Sequence, residues 1–202
     1  MQFDIWSIKM GSKKLNLRKL TLIALFTAIV AVLQMLGGFI KFGQFSVTLV
    51  LVPIVVGAAM CGVATGAWLG CVFGIMVFAT GDAALFLGID PAGTIVTVML
   101  KGVLAGLSAG LTYKLLSGLN RYLAVIAAAI VSPVVNTGIF LVGCNLFFYD
   151  TVSQWALADG KAIGAYLILV MVGANFLFEV LFNVVLSPAA VRIVDIAKKK
   201  RQ

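Results

Sequence analysis

Two charged side chains of this 202-residue chain lie deep inside long apolar stretches, Lys101 and Glu179. A charge at bilayer depth costs about 3 kcal/mol unless it meets a partner or a wet cavity, so each is a functional candidate. The chemistry open to a buried ammonium is capture of an anion. Lys101 sits in GTIVTVMLKGVLAGLSAGLTYKLL, about eight residues or roughly 12 Å past the start of its helix. Glu179 comes about 17 residues, roughly 25 Å, into the last apolar stretch. The two depths differ by about 13 Å on that rise, which a side chain and a helix tilt bridge only in part. Two readings stay open: Lys101 pairs with Glu179, or Lys101 holds an anionic ligand.

Asparagines accompany these charges. Asn136 and Asn145 fall on the fifth apolar stretch, and Asn175, Glu179 and Asn183 recur at spacing four on the last. A polar face at that depth must look into the bundle, since lipid satisfies no amide. Asn183, near the inner end, reads as a bond between helices. Asn136, Asn145 and Asn175 could do the same or could line a pocket with Lys101. Two connecting segments have the composition of a cover: Phe39, Phe42, Gln44 and Phe45 in the first, Phe147, Tyr149, Asp150, Gln154 and Trp155 in the second. Aromatic residues at this level also serve as interface anchors. The first of the two segments is unusually apolar for one that faces water, as a cover over a small-molecule site requires.

The elements that position these residues follow from composition. The chain is 62% hydrophobic and only 11% charged, a balance that implies an all-α integral membrane protein. Six transmembrane helices are expected, over about 20–36, 47–61, 63–80, 93–116, 122–148 and 162–185, between a basic leader (1–19) and a basic tail (191–202). With both termini cytoplasmic, the inner segments hold twelve Lys and Arg residues and the outer loops only Lys41 and Lys161. That bias sets the orientation. It also reads the net charge of +8 as attraction to anionic lipid, not to nucleic acid. The first apolar run lacks a cleavage site and is expected to stay in the membrane. Glycines recur every four residues at 62, 66, 70 and 74 and again at 102, 106 and 110. Such strips bring helices close together, or leave them free to shift or tilt.

Enzyme classes drop out. The chain has no histidine, which removes the common triads and zinc sites, and it carries no Walker sequence, paired-carboxylate motif or nucleophile–base pair. Cys61, Cys71 and Cys144 lie in apolar stretches without metal-ligand spacing and read as small hydrophobes. No metal site is expected.

The first span, LTLIALFTAIVAVLQ, carries an AxxxA strip at Ala24 and Ala28, extended by Ala31, and SVTLVLVPIVVGAAMCG follows it. With the size, the glycine-rich middle and the six-span pattern, the whole chain resembles the substrate-binding S components of energy-coupling factor (ECF) vitamin transporters. The resemblance implies that Ala24, Ala28 and Ala31 dock on a transmembrane T component. It implies a vitamin held near the outer leaflet by the first, third and fifth loops and by spans four to six. The site residues are then Lys101, Asn136, Asn145, Asn175 and Glu179 with Phe39, Gln44, Tyr149 and Trp155. It also implies residence in a prokaryotic plasma membrane, no cofactor bound by this chain, and ATP used by two cytoplasmic partner subunits. Overall the chain resembles the pantothenate-like branch of these proteins more than the biotin or thiamin branches, and pantothenate, with one carboxylate, an amide and two hydroxyls, suits one buried lysine among asparagines. Folate and flavin are further candidates. The other function classes are a stand-alone secondary transporter or channel, and a membrane scaffold subunit.

Overall fold

A computed structural model describes residues 17–37, 41–42, 45–46 and 49–199, nearly all of them helical. Helix α1 is Leu17–Gly37; a two-residue pair of antiparallel strands, β1 (Lys41–Phe42) and β2 (Phe45–Ser46), leads to α2 (Leu51–Cys61) and α3 (Val63–Ala79). Then come α4 (Ala84–Leu87), α5 (Pro91–Leu116), α6 (Arg121–Phe147), α7 (Tyr149–Ala158) and α8 (Ile163–Ala165). A π-helical segment, Tyr166–Gly173, joins α8 to α9 (Ala174–Lys199).

Helix α2 is the middle of the bundle. It is apolar on every side, and all of it except Val52 and Met60 is buried, as such a helix must be. Around it stand α1, α3, α5, α6 and α9. Gly62, at φ 103°, makes the turn that separates α2 from α3.

The α3–α5 crossing holds the bundle most tightly. A Cβ on Gly70 would overlap the carbonyl of Gly102, and one on Gly106 the carbonyl of Gly66. The two glycine strips therefore pack backbone against backbone. Of the two uses of such strips, the structure shows close packing. Helix α6 joins this pair through the Ser132 hydroxyl, which donates to Ala105 O on α5 at 3.3 Å.

Local chemistry fixes the helix starts. Asp90 caps α5 by accepting from Ala92 N at 3.1 Å, with Pro91 at the first helical position. Asn120 Oδ1 caps α6 by accepting from Tyr122 N at 2.8 Å and Leu123 N at 3.3 Å. Asn120→Ala is expected to lower stability by about 1 kcal/mol, and Asn120→Ser to restore most of it, in thermal unfolding. By contrast, the exposed Arg121–Asp195 pair between α6 and α9, at 3.8 Å, adds little.

Four helices reach spanning length with apolar composition: α1, α5, α6 and Asn175–Ile196 within α9. A fifth is made if α7 and Ile163–Gly173, bent by 94°, count together. Hydropathy alone expects six. The second and third apolar stretches form helices of only 11 and 17 residues on either side of Gly62.

The chain departs from the sequence reading in three places. Residues 81–92, expected as loop, contain α4. The expected loop at 149–161 is largely α7, which buries Val152 and Ala156 one turn apart and shows its polar residues outward. Helix was expected to stop near Val185 before Pro188, yet it continues to Lys199. Pro188 leaves the carbonyl of Val184 without its helical donor, and the Ser187 hydroxyl supplies one at 2.7 Å. The expected leader lies mostly outside the described residues.

Candidate binding cavity

One face of α5 presents Thr94, Thr97, Val98 and Lys101, residues three and four apart, toward a cavity that the other helices close. Helix α3 brings Phe73 and Val77, and α4 brings Phe86. Asn136, Thr137 and Phe140 come from α6, Met171 and Val172 from the π segment, and Asn175, Phe176 and Glu179 from α9. Gln34 of α1, Asp82 and Ala83 after α3, and Phe148 after α6 complete the wall. The space open to the centre of a water molecule is about 90 Å³.

Each polar member has a definable setting. Lys101 Nζ sits between two rings, 5.6 Å from the centroids of both Phe73 and Phe140, in cation–π geometry. Glu179 is 2% exposed, and Asn175 Nδ2 donates to its Oε1 at 3.4 Å. Asp82 follows Gly81, whose φ of 77° ends α3 in a Schellman turn: Asp82 N bonds Val77 O at 3.1 Å and Gly81 N bonds Phe78 O at 3.2 Å. That turn aims the Asp82 carboxylate inward, where its Oδ2 accepts from Gln34 Nε2 at 2.7 Å and Thr80 Oγ1 at 3.0 Å. A bond thus runs from α1 to the cavity wall.

Three buried atoms on this wall, Thr97 Oγ1, Asn136 Oδ1 and Asn175 Oδ1, have no hydrogen-bond partner among the described residues. Buried polar atoms are nearly always satisfied, and these exceptions cluster around one cavity.

The sequence candidates divide. Lys101, Asn136, Asn175 and Glu179 meet at the cavity. The depth difference assigned to Lys101 and Glu179 is corrected: both line one space. α8, the π segment and α9 run on without a non-helical residue to Lys199, so Glu179 lies near the middle of that run, as Lys101 does in α5. A count of depth from the first apolar residue misses this. Asn145 is exposed and donates to Leu141 O at 2.9 Å, one turn back on its own helix, so it stands outside the cavity. Tyr149 is 51% exposed and also outside. Trp155 stands behind the wall, with its ring 6.3 Å from that of Phe86. Phe39 and Gln44 lie outside the described residues. Asn183 donates to the backbone oxygen of Glu179 at 2.7 Å and stays away from the cavity.

Sequence reasoning missed the polar residues Gln34, Asp82, Thr94, Thr97 and Thr137. Thr94 and Thr97 were legible, since they share a helical face with Lys101; Asp82 depends on a turn that only coordinates reveal. On α1, Ala24 and Ala28 are exposed and Ala31 half-buried, while Phe26, Val30 and Gln34 make the buried face. Among the described residues no three His, Cys, Asp or Glu side chains gather to hold a metal ion.

The fold is an apolar helical bundle around a cavity lined by both polar and apolar side chains, and residues 18–191 match the family model for the substrate-specific component of ECF transporters. The chain belongs to that family. It is 30% identical over 196 residues to the pantothenic acid transporter PanT of Lactococcus lactis subsp. cremoris (strain MG1363), an alignment that covers 89% of this chain and 94% of that protein. No solved structure matches the chain significantly. The protein is thus a multi-pass membrane component of a transporter family, not an enzyme family.

Proposed function

We propose that this chain is the substrate-binding S subunit of an ECF-type importer and captures pantothenate, or another small anionic vitamin, from outside the cell. One observation carries the ligand class: among the described residues a single lysine faces the cavity, whose orphaned Asn136 Oδ1 and Asn175 Oδ1 are acceptors and whose orphaned Thr97 Oγ1 both accepts and donates. A ligand matched to that wall has one carboxylate for Lys101 and hydroxyl or amide donors for the rest. Pantothenate has this inventory. Folate brings further carboxylates, and among the described residues no second cation lines the wall. The likeness to a pantothenic acid transporter supports the same choice.

In this reading α2 and α3 act as short spans beside the longer ones, giving six spans with both termini in the cytoplasm of a prokaryote. The asymmetry of Lys and Arg supports that orientation. A transmembrane T component docks on α1, and two cytoplasmic ATPase subunits consume ATP, with no cofactor bound by this chain. The outward exposure of Ala24 and Ala28 supports the docking face. Ala28→Trp, which adds bulk where no packing is disturbed, is expected to leave pantothenate binding intact and abolish uptake by the assembled transporter. Loss of both functions would contradict a separate docking role.

The test of the ligand is thermal unfolding of the detergent-purified protein against a panel of vitamins. A ligand at 100 times its Kd stabilises by about 2.7 kcal/mol. Pantothenate is expected to give the largest shift. A shift with folate or riboflavin alone would move the assignment to that vitamin, and no shift with any would favour a scaffold subunit.

A further inference from the structure

We propose that Asp82 is a specificity-determining residue of this cavity: its Oδ1 accepts from the primary hydroxyl of the ligand, while Lys101, at the other end of the space, takes the carboxylate. The inference rests on the reading of the ligand as pantothenate and adds the direction in which that ligand lies.

Helix contacts place the two groups at different levels. A Cβ on Gly70 would meet the carbonyl of Gly102, and one on Gly74 would lie 3.3 Å from the carbonyl oxygen of Val98. Helices α3 and α5 therefore run antiparallel, with Gly70 opposite the residue that follows Lys101. From Gly70, α3 runs on to Ala79, roughly 13 Å at the helical rise, before the turn that carries Asp82. The lysine stem leans toward the N-terminal end of its own helix, which is the Asp82 end, so the charged groups are closer than the backbone levels. On α6, Gly143 packs against Thr97 and Ser132 donates to Ala105 O, which puts Asn136 near the level of Lys101. Lys101 and Asn136 thus make one pole of the cavity and Asp82 the other, with Thr97 and Thr94 on the α5 wall between them.

The Asp82 carboxylate is held with one oxygen taken and one open. Gln34 Nε2 at 2.7 Å and Thr80 Oγ1 at 3.0 Å both donate to Oδ2. Among the described residues no donor is bonded to Oδ1. Gln34 is itself buried, on the face of α1 that also buries Phe26 and Val30, so the carboxylate is anchored from two elements. A carboxylate oxygen only accepts, so Oδ1 suits a hydroxyl or N–H donor.

That contrast sets the direction. Pantothenate carries its carboxylate at one end and a primary hydroxyl at the other. With the carboxylate at Lys101, the hydroxyl falls at the Asp82 pole. Turned around, the ligand brings two carboxylates together and leaves the ammonium without its anion. A site built to bond a hydroxyl rejects an analogue that lacks it, because its own polar group is then left unpaired.

The experiment is calorimetric titration of the full chain in detergent with three ligands: pantothenate, its analogue with hydrogen in place of the primary hydroxyl, and pantothenyl alcohol, in which a hydroxymethyl group replaces the carboxylate. The unsubstituted chain is expected to bind the deoxy analogue about tenfold or more weakly than pantothenate. Asp82→Ala is expected to bind those two about equally, yet to keep the full penalty for pantothenyl alcohol, whose altered end lies at Lys101. Asp82→Asn keeps the volume and serves if Asp82→Ala does not fold; the hydroxyl penalty should shrink in it. A hydroxyl penalty of the same size in the variants as in the unsubstituted chain overturns the inference and leaves Asp82 as a tie between α1 and the turn. A carboxylate penalty that changes with Asp82 while the hydroxyl penalty does not means the opposite direction and overturns it too. Equal binding of pantothenate and the deoxy analogue by the unsubstituted chain overturns it whether or not a variant folds, and in all three cases the ligand assignment stands. Failure of pantothenate to bind overturns both.

Discussion

Lys101→Met is expected to raise the Kd for pantothenate by about a hundredfold or more. Truncating one partner of a buried, hydrogen-bonded charge pair costs about 2–5 kcal/mol, and each 1.4 kcal/mol is about tenfold in Kd. Methionine keeps most of the length of the apolar stem whose Nζ reaches Phe73 and Phe140, so the wall stays largely filled while the charge goes. The same change leaves Asp82 and Glu179 around the cavity without their cation, and the unliganded protein should melt at a lower temperature. Lys101→Met combined with Glu179→Gln should recover part of that stability but none of the affinity. Recovery of both would mean that Lys101 serves only to neutralise Glu179. Calorimetry for Kd and thermal unfolding for stability separate the two outcomes.

The second large effect is expected at the α3–α5 crossing. Gly70→Ala places a methyl group on the carbonyl of Gly102, and Gly106→Ala does the same to Gly66. The obstacle is backbone, which has no rotamer to yield, so the helices must separate. Overpacking of this kind costs about 3 kcal/mol or more. Separation also draws Phe73, on α3, away from Lys101, on α5, so ligand affinity should fall with stability. Gly138→Ala is the control. Nothing lies within 4 Å of a Cβ built there, and exchanging a helical glycine for alanine should stabilise by up to about 1 kcal/mol. A neutral Gly70→Ala, measured by thermal unfolding, would mean that the two strips are not in contact.

The sequence carried the helical membrane class, the glycine strips and four side chains of the candidate cavity, because each follows from local composition or spacing. Lys101 and Glu179 were conspicuous as charges among apolar residues, and Asn136 and Asn175 as amides on helical faces. Asn145 satisfied the same rule and is exposed, since one polar residue on a helix does not by itself say which way the face turns. Its own helix supplies the acceptor, Leu141 O. Asp82 failed in the opposite sense. In the sequence it is an acid in a connecting loop, and only the Schellman turn at Gly81 delivers it to the cavity beside Gln34. The extent of the last helix was hidden by Pro188, whose usual penalty is offset locally by the hydroxyl of Ser187. The polarity of α7 hid its buried pair, Val152 and Ala156.

The cavity is bounded by two kinds of wall. On the α3–α5 side the backbones touch, and the residues that face inward are tied to a crossing that tolerates no added atom at Gly70 or Gly106. On the opposite side Asn136, Phe140, Met171, Val172, Asn175 and Phe176 come from α6, the π segment and α9, which meet the cavity through side chains. Retargeting the protein to a new solute is therefore a one-sided task. Volume and hydrogen-bonding pattern can be rewritten on the α6–α9 side at the cost of side-chain repacking alone, while the opposite side supplies an invariant floor and a single anchoring charge.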